Sequence, residues 1–117
     1  GLSDNPRPAL YDSPYPVRPF SGDGREFAAD ETATVSGKHC ETDRLFPDIK
    51  LPADLRTGDL LQILCTGAYN SSMASNYNRY QRPATVLRRT DGSYAVIQRR
   101  ESYESMLERE VIPEDLK

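Results

Sequence analysis

The chain has 117 residues, enough for one domain and too few for a second core of useful size. Its 15 basic and 18 acidic side chains are mixed along the sequence for a net charge of -3, which speaks against a nucleic-acid or anionic-membrane partner. Hydrophobic residues make up 37%, and nine prolines and seven glycines favour short strands joined by turns over long helices.

Residues 1–24 contain Pro6, Pro8, Pro14, Pro16 and Pro19, a spacing that predicts an extended segment, without regular helix, at a sheet edge or a domain crossing. After the Asp23-Gly24 turn, Glu31–Gly37 alternates Thr32, Thr34 and Ser36 with Ala33 and Val35, which predicts a half-buried strand. From Lys38 to Asp59 there is little periodicity, and Pro47 and Pro52 predict a long loop of functional interest. Thr57-Gly58-Asp59 turns into Leu60–Cys65, apolar on both faces and expected as a central buried strand. A turn or two of helix is expected around Ser72–Asn76.

Ala84–Arg89 and Tyr94–Arg100 flank Thr90-Asp91-Gly92-Ser93, the clearest hairpin signal in the chain. Glu101–Arg109 reads as a short helix, with Ser102 as its amino-terminal cap and Tyr103, Met106 and Leu107 on one face. The expected fold is mainly β, a Greek-key-like barrel or sandwich with one or two short helices. It is read as a single domain over 1–117.

No run approaches the ~20 apolar residues of a membrane span, and the amino terminus has no signal-peptide layout. With two cysteines, Cys40 and Cys65, a reduced cytoplasmic chain is the simpler expectation. One histidine and two distant cysteines give no metal cluster.

Three spots carry reactive groups. Arg7-Pro8-Ala9-Leu10-Tyr11 holds a guanidinium and a phenol in a proline-stiffened segment, a combination suited to receiving a carboxylate. Gly37-Lys38-His39-Cys40-Glu41-Thr42-Asp43 sets a thiol among a histidine and two carboxylates, where a proton can be transferred. Gly67-Ala68-Tyr69, followed by Asn70–Ser75, offers close backbone approach and a phenol at a strand end. Taken singly, each fits ordinary surface and core packing better than a site.

Their order changes that reading. Arg7–Tyr11, Gly37–Asp43 with Cys40-Glu41 at its centre, Gly58-Asp59, Gly67–Tyr69 with Met73–Ser75 and Asn78, and Arg82-Pro83 stand in succession. The late Gln98-Arg99-Arg100-Glu101-Ser102 adds a further block. Together they resemble the carboxy-terminal domain of the diaminopimelate decarboxylase family, similar to the alanine racemase and ornithine decarboxylase group, over nearly the whole chain.

The resemblance implies a pyridoxal 5'-phosphate enzyme converting meso-2,6-diaminopimelate to L-lysine and CO2. It also implies an amino-terminal α/β barrel whose lysine holds the cofactor covalently. Lys38, Lys50 and Lys117 do not match that lysine, so this chain by itself is expected to be inactive. By the same resemblance, Arg7 and Tyr11 bind a substrate carboxylate and Glu41 meets the distal ammonium. Cys40 would be the proton donor, and Tyr69 would contact substrate and cofactor. A homodimer is expected, with the Cys40-Glu41 loop entering the partner subunit's site.

The loop Cys40-Glu41-Thr42-Asp43 is one residue shorter than the usual pattern, which bears on Asp43. His39 stands where an apolar residue is more usual and is read as an exposed substitution. The competing assignments are an ornithine- or arginine-type decarboxylase domain and a free-standing binding module. The opening Gly1-Leu2-Ser3-Asp4 without an initiator methionine reads more as a cut than a natural start.

Overall fold

The computed structural model describes residues 1–40 and 43–117, so Glu41 and Thr42 lie outside the described residues. The chain forms two compact units, 1–74 and 75–117. Among the described residues it is mainly sheet, as expected, with three antiparallel strand pairs and three short α-helices.

In the first unit, α1 (Arg7–Tyr11) leads to β1 (Val17–Phe20), β2 (Asp30–Ser36), β3 (Arg44–Pro52), β4 (Leu60–Ile63) and α2 (Asn70–Met73). β1 pairs with β4, and β2 with β3. The helix α1 corrects the expectation that the proline-rich segment excludes regular helix. Pro8 lies in its first turn, where an N–H has no intrahelical acceptor and proline costs nothing. The turn closes through Leu10 N–H donating to the Pro6 carbonyl at 3.0 Å, and Asp12 ends it at φ 50°, ψ 33°.

β3 corrects the expected loop over 38–59. Of its two prolines, Pro52 ends the strand opposite Asp30, and Pro47 is accommodated by irregular pairing with β2. Ala33 faces Ile49 while Val35 faces Phe46, so Pro47 and Asp48 together oppose Thr34 in a bulge. Pro47 therefore withholds no ladder bond, and Asp48 takes the kink at φ 54°. The large buried apolar side chains, Leu45, Phe46 and Leu51, all come from this strand. β2 matches its predicted range, with Ala33 and Val35 on the more covered side.

β4 is shorter and less buried than expected. Leu60 is 57% exposed, and the strand alternates exposed and half-buried positions because β1 is its sole pairing partner among the described residues. Pro19 sits in β1, an edge strand, as the proline pattern predicts.

Polar contacts reinforce this thin core. The Arg25 guanidinium pairs with both Asp59 carboxylate oxygens, one at 2.8 Å, donates to the Asp54 carbonyl at 3.2 Å and stacks over the Phe27 ring at 4.9 Å. Asp59 also accepts the Arg56 N–H at 2.7 Å. The Arg25 hydrogen bond, then the Arg56 N–H, hold the Asp59 carboxyl well down, at about 2. Gly58, at φ 100°, makes the turn that delivers Asp59.

The second unit contains β5 (Thr85–Arg88), β6 (Tyr94–Gln98) and α3 (Tyr103–Leu107). The β5–β6 hairpin turns at Asp91-Gly92 as predicted, with Gly92 at φ 85° and Arg89 N–H donating to the Ser93 carbonyl at 2.8 Å. α3 has the predicted Ser102 cap. Ser105 N–H donates to Ser102 Oγ at 3.1 Å, and Ser102 N–H donates back to Ser105 Oγ at 3.0 Å. Glu101 gathers the stretch before the hairpin, accepting from Arg82 N–H at 3.0 Å and from the Asn76 amide. Those hydrogen bonds, Arg82 first, hold its carboxyl below the usual range.

Candidate functional site

Four of the five sequence-predicted site residues are described, and they sit on three pieces of the first unit: Arg7 and Tyr11 on the one-turn helix α1, Tyr69 in the turn between β4 and α2, and Cys40 just after β2. Arg7 and Tyr11 are the first and last residues of α1, four apart and so on the same helical face. The structure brings Arg7 and Tyr69 together, with the guanidinium carbon 5.0 Å from the centre of the Tyr69 ring. Tyr11 and Tyr69 are 64% and 68% exposed, so both phenols face out of the described fold.

Asn70 sets this pairing, and the sequence reading had assigned it no role. Pro6 offers α1 no side-chain cap. Asn70 Oδ1 takes that place from across the unit, accepting the Arg7 N–H at 3.4 Å. Its amide donates to the Thr66 carbonyl at 2.6 Å and to Thr66 Oγ1 at 3.0 Å, and Thr66 Oγ1 donates to Asn5 Oδ1 at 2.9 Å. Asn70 and Asn5 are buried. The network ties the residues before α1 to the end of β4, and it fixes the backbone on both sides of Arg7 and beside Tyr69.

Tyr69 pays for its position in backbone strain, since its φ is 67° without a glycine's freedom; Cys65 in the same turn is at 58°. Sequence position alone carries one signal for this network, the Asn70 that follows Tyr69; Tyr69 itself caps α2, six residues beyond the end of β4, and not the strand end expected for it. The partners of Asn70 are 4 and 63 residues away, and the second could not be read locally.

Cys40 is an exposed free thiol in a bend. Among the described residues, no hydrogen bond, ion pair or ring contact joins it to Arg7, Tyr11 or Tyr69. Glu41, expected at the distal ammonium, lies outside the described residues. His39 corrects the expected exposed substitution: it is 8% exposed, and its Nε2 shares a 2.9 Å hydrogen bond with Ser3 Oγ. Asp43 is buried as well. Its carboxylate accepts Leu2 N–H at 2.6 Å and His39 N–H at 3.1 Å, while its carbonyl accepts Gly37 N–H at 2.7 Å. A Cβ on Gly37 would overlap the Asp43 carboxylate and the Gly1 backbone, so this position requires glycine.

A cleft of about 400 Å³ lies between Pro8–Tyr15 and β3, lined by Pro8, Asp12, Tyr15, Arg44 and Phe46 among others. None of the four described site residues, Arg7, Tyr11, Cys40 and Tyr69, lines it. Among the described residues no group of His, Cys, Asp and Glu could hold a metal ion, and no helix is long and apolar enough to cross a membrane.

The described fold thus leaves the Tyr11 and Tyr69 phenols and the Cys40 thiol exposed, with the half-buried Arg7 beside the Tyr69 ring. The pyridoxal-dependent decarboxylase, C-terminal sheet domain, matches residues 1–67, more than half of the chain, and the chain belongs to that family.

The chain is 51% identical over 112 residues to the diaminopimelate decarboxylase of Actinosynnema pretiosum subsp. auranticum, covering 95% of this chain and 24% of that protein. It is 47% identical over 117 residues to the diaminopimelate decarboxylase of Synechocystis sp., covering 99% of this chain and 24% of the relative. The crystal structure of diaminopimelate decarboxylase from M. jannaschii in co-complex with L-lysine superposes with a TM-score of 0.87 at 31% identity. That match covers 100% of this chain and 26% of the solved one. The chain thus spans about a quarter of the length of these relatives.

Proposed function

We propose that residues 1–117 form the carboxy-terminal domain of a diaminopimelate decarboxylase. In the complete protein it would add substrate-binding and proton-donating side chains to a site built on an amino-terminal α/β barrel. The observation that carries this reading is the Arg7–Tyr69 pair, held by the buried Asn70 and open to the outside. A cation beside an exposed phenol suits an anionic group, either a substrate carboxylate or a cofactor phosphate.

The lysines of the chain fit the same division of labour. Lys50 Nζ donates to Thr32 Oγ1 at 2.7 Å, Lys38 lies 3.8 Å from Asp4, and Lys117 pairs with Glu114. None lines the cleft beside β3, and we assign covalent attachment of pyridoxal phosphate to the amino-terminal barrel. Tyr69 is the residue of this chain that would contact it. When bound, the cofactor takes up the electron pair left as CO2 departs.

This chain's residues do the rest. Arg7 and Tyr11 hold the substrate carboxylate by a charge-assisted fork and a phenol hydroxyl. Glu41 pairs with the distal ammonium, which separates diaminopimelate from substrates ending in a bare cation. Cys40 delivers a proton from Sγ to the carbon that has lost its carboxylate. The exposure of Cys40, Tyr11 and Tyr69 supports a site closed by another body, and a homodimer in the cytoplasm is the assembly we assign to it.

The test is substrate choice. The complete enzyme containing this domain should release CO2 from meso-2,6-diaminopimelate and yield lysine, with little turnover of ornithine. Preference for ornithine or arginine would overturn the assignment.

A further inference from the structure

We propose that Asp43 is a positioning residue, which sets Cys40 through the His39 backbone, with the Ser3–His39 hydrogen bond locking the same turn to the segment that carries Arg7. The inference rests on the reading of Cys40 as proton donor.

Asp43 is only 4% exposed, and both of its carboxylate oxygens already accept backbone N–H groups. It is therefore not placed to meet a ligand. It closes the turn instead. Its carbonyl receives Gly37 N–H at one end, and its Oδ2 receives His39 N–H in the middle, one residue before Cys40. Its Oδ1 receives Leu2 N–H, which ties the closed turn to the amino-terminal segment.

His39 is held twice more firmly than a loop residue needs to be. Its N–H is bound by Asp43, and its ring, turned inward, reaches Ser3 Oγ at 2.9 Å. With the side chain of His39 inward, the next side chain, Cys40, is the exposed one. The amino-terminal residues that receive these bonds are themselves a hydrogen-bonded turn, in which Asp4 and Asn5 N–H both donate to the Gly1 carbonyl at 3.0 and 2.9 Å. That turn runs through Asn5, bonded to Thr66, and Pro6 directly into Arg7. Cys40 and Arg7 do not touch, yet one polar framework fixes both.

The experiment uses the complete decarboxylase with Asp43→Asn and, separately, Ser3→Ala. Asparagine keeps the volume and one acceptor, and Ser3→Ala removes a single hydroxyl, so it carries the test if the first variant fails to fold. Two readouts are taken: kcat against KM, and the rate at which iodoacetamide alkylates Cys40, followed by peptide mass spectrometry. Displacing a reacting group by about 1 Å costs on the order of 10²-fold. Both variants should lose ~10–100-fold in kcat with KM within about twofold, and the Cys40 alkylation rate should change several-fold.

Unchanged kcat and alkylation in a folded variant would overturn the proposal. So would a lowered melting temperature with alkylation unmoved, because that is the mark of a merely structural contact. The alkylation readout does not depend on catalysis. If Cys40→Ala keeps full turnover, the donor reading fails, while a changed alkylation rate in Asp43→Asn still supports the clamp.

Discussion

Replacing Asn70 by alanine isolates the contribution of the network behind Arg7 and Tyr69. The substitution deletes two donated bonds to Thr66, at 2.6 and 3.0 Å, and one accepted bond from Arg7 N–H at 3.4 Å. A side-chain hydrogen bond contributes ~0.5–1.5 kcal/mol net, and a buried polar group stripped of its partner costs ~1–3 kcal/mol. The Thr66 carbonyl loses a short bond at a buried partner, while the long bond to Arg7 belongs at the low end. The expected loss is about 2–3 kcal/mol. In urea unfolding of the chain at fixed concentration, that corresponds to a midpoint lowered by about 1–2 M with an unchanged slope. Asn70→Asp provides the internal check, because it keeps the acceptor for Arg7 but sets a carboxylate against the Thr66 carbonyl. The aspartate variant should be at least as unstable at neutral pH and recover on acidification, as its protonated form regains a donor. A loss under about 0.5 kcal/mol for Asn70→Ala, or no pH dependence in Asn70→Asp, would refute the reasoning.

Acid should unfold the first unit through Asp59. Its folded carboxyl titrates at about 2 against a usual 3.8, so the stability it adds is complete above about pH 4 and disappears as pH falls towards 2. Arg25→Gln should move the acid transition followed by circular dichroism to higher pH. Gly37→Ala should destabilise the chain by ~1–3 kcal/mol through overlap with Asp43, read as a lowered thermal midpoint, whereas a benign outcome would contradict the close approach. In the complete enzyme, Cys40→Ala should lower kcat by ~10²–10⁴-fold with a smaller effect on KM, and intact turnover would exclude the donor role. Tyr69→Gly should leave stability unchanged or higher by relieving φ 67°, while weakening turnover; a clear loss of stability would show that the ring, not the backbone, dominates there.

What was legible in the sequence was local. The β5–β6 hairpin followed from Asp91-Gly92 because the turn type depends on two adjacent residues, and α3 followed from Ser102 because its cap reaches three residues on. The alternation of Ala33 and Val35 located β2 for the same reason. Errors came where a distant partner decides. Pro8 was read as a helix breaker because its position relative to the helix start was unknown until Asn70, 63 residues from Arg7, capped the first turn. Pro47 hid β3 because the bulge that tolerates it exists only when β2 is paired alongside. His39 was read as exposed because Ser3, 36 residues earlier, is what receives its ring. The proposed site residues Arg7, Tyr11, Cys40, Glu41 and Tyr69 rest on family likeness, and the side chains that fix the backbone beside Arg7 and Tyr69, Asn70 and Thr66, carry no such signal.

The balance between core and staples explains why those supports matter. Among the described residues the buried apolar side chains are Leu45, Phe46 and Leu51 with the small rings of Pro6, Pro8 and Pro52, against six polar or charged ones, among them Ser3, His39, Asp43 and Asn70. A core that small contributes little specificity, since apolar packing tolerates shifts that keep volume constant. Buried polar groups do not, because each displaced donor or acceptor is left unsatisfied. The first unit therefore fixes the places from which Cys40, Arg7 and Tyr69 project by hydrogen bonds to backbone N–H and carbonyl groups. In the second unit, Val86, Leu87, Val96 and Ile97 of the hairpin are each at least 46% exposed, on a strand pair with no third strand among the described residues. Exposed apolar surface of that kind favours association. Measured alone, the 117-residue chain should self-associate with rising concentration, and Val96→Lys with Ile97→Lys should suppress that association while leaving the first unit's acid transition unmoved.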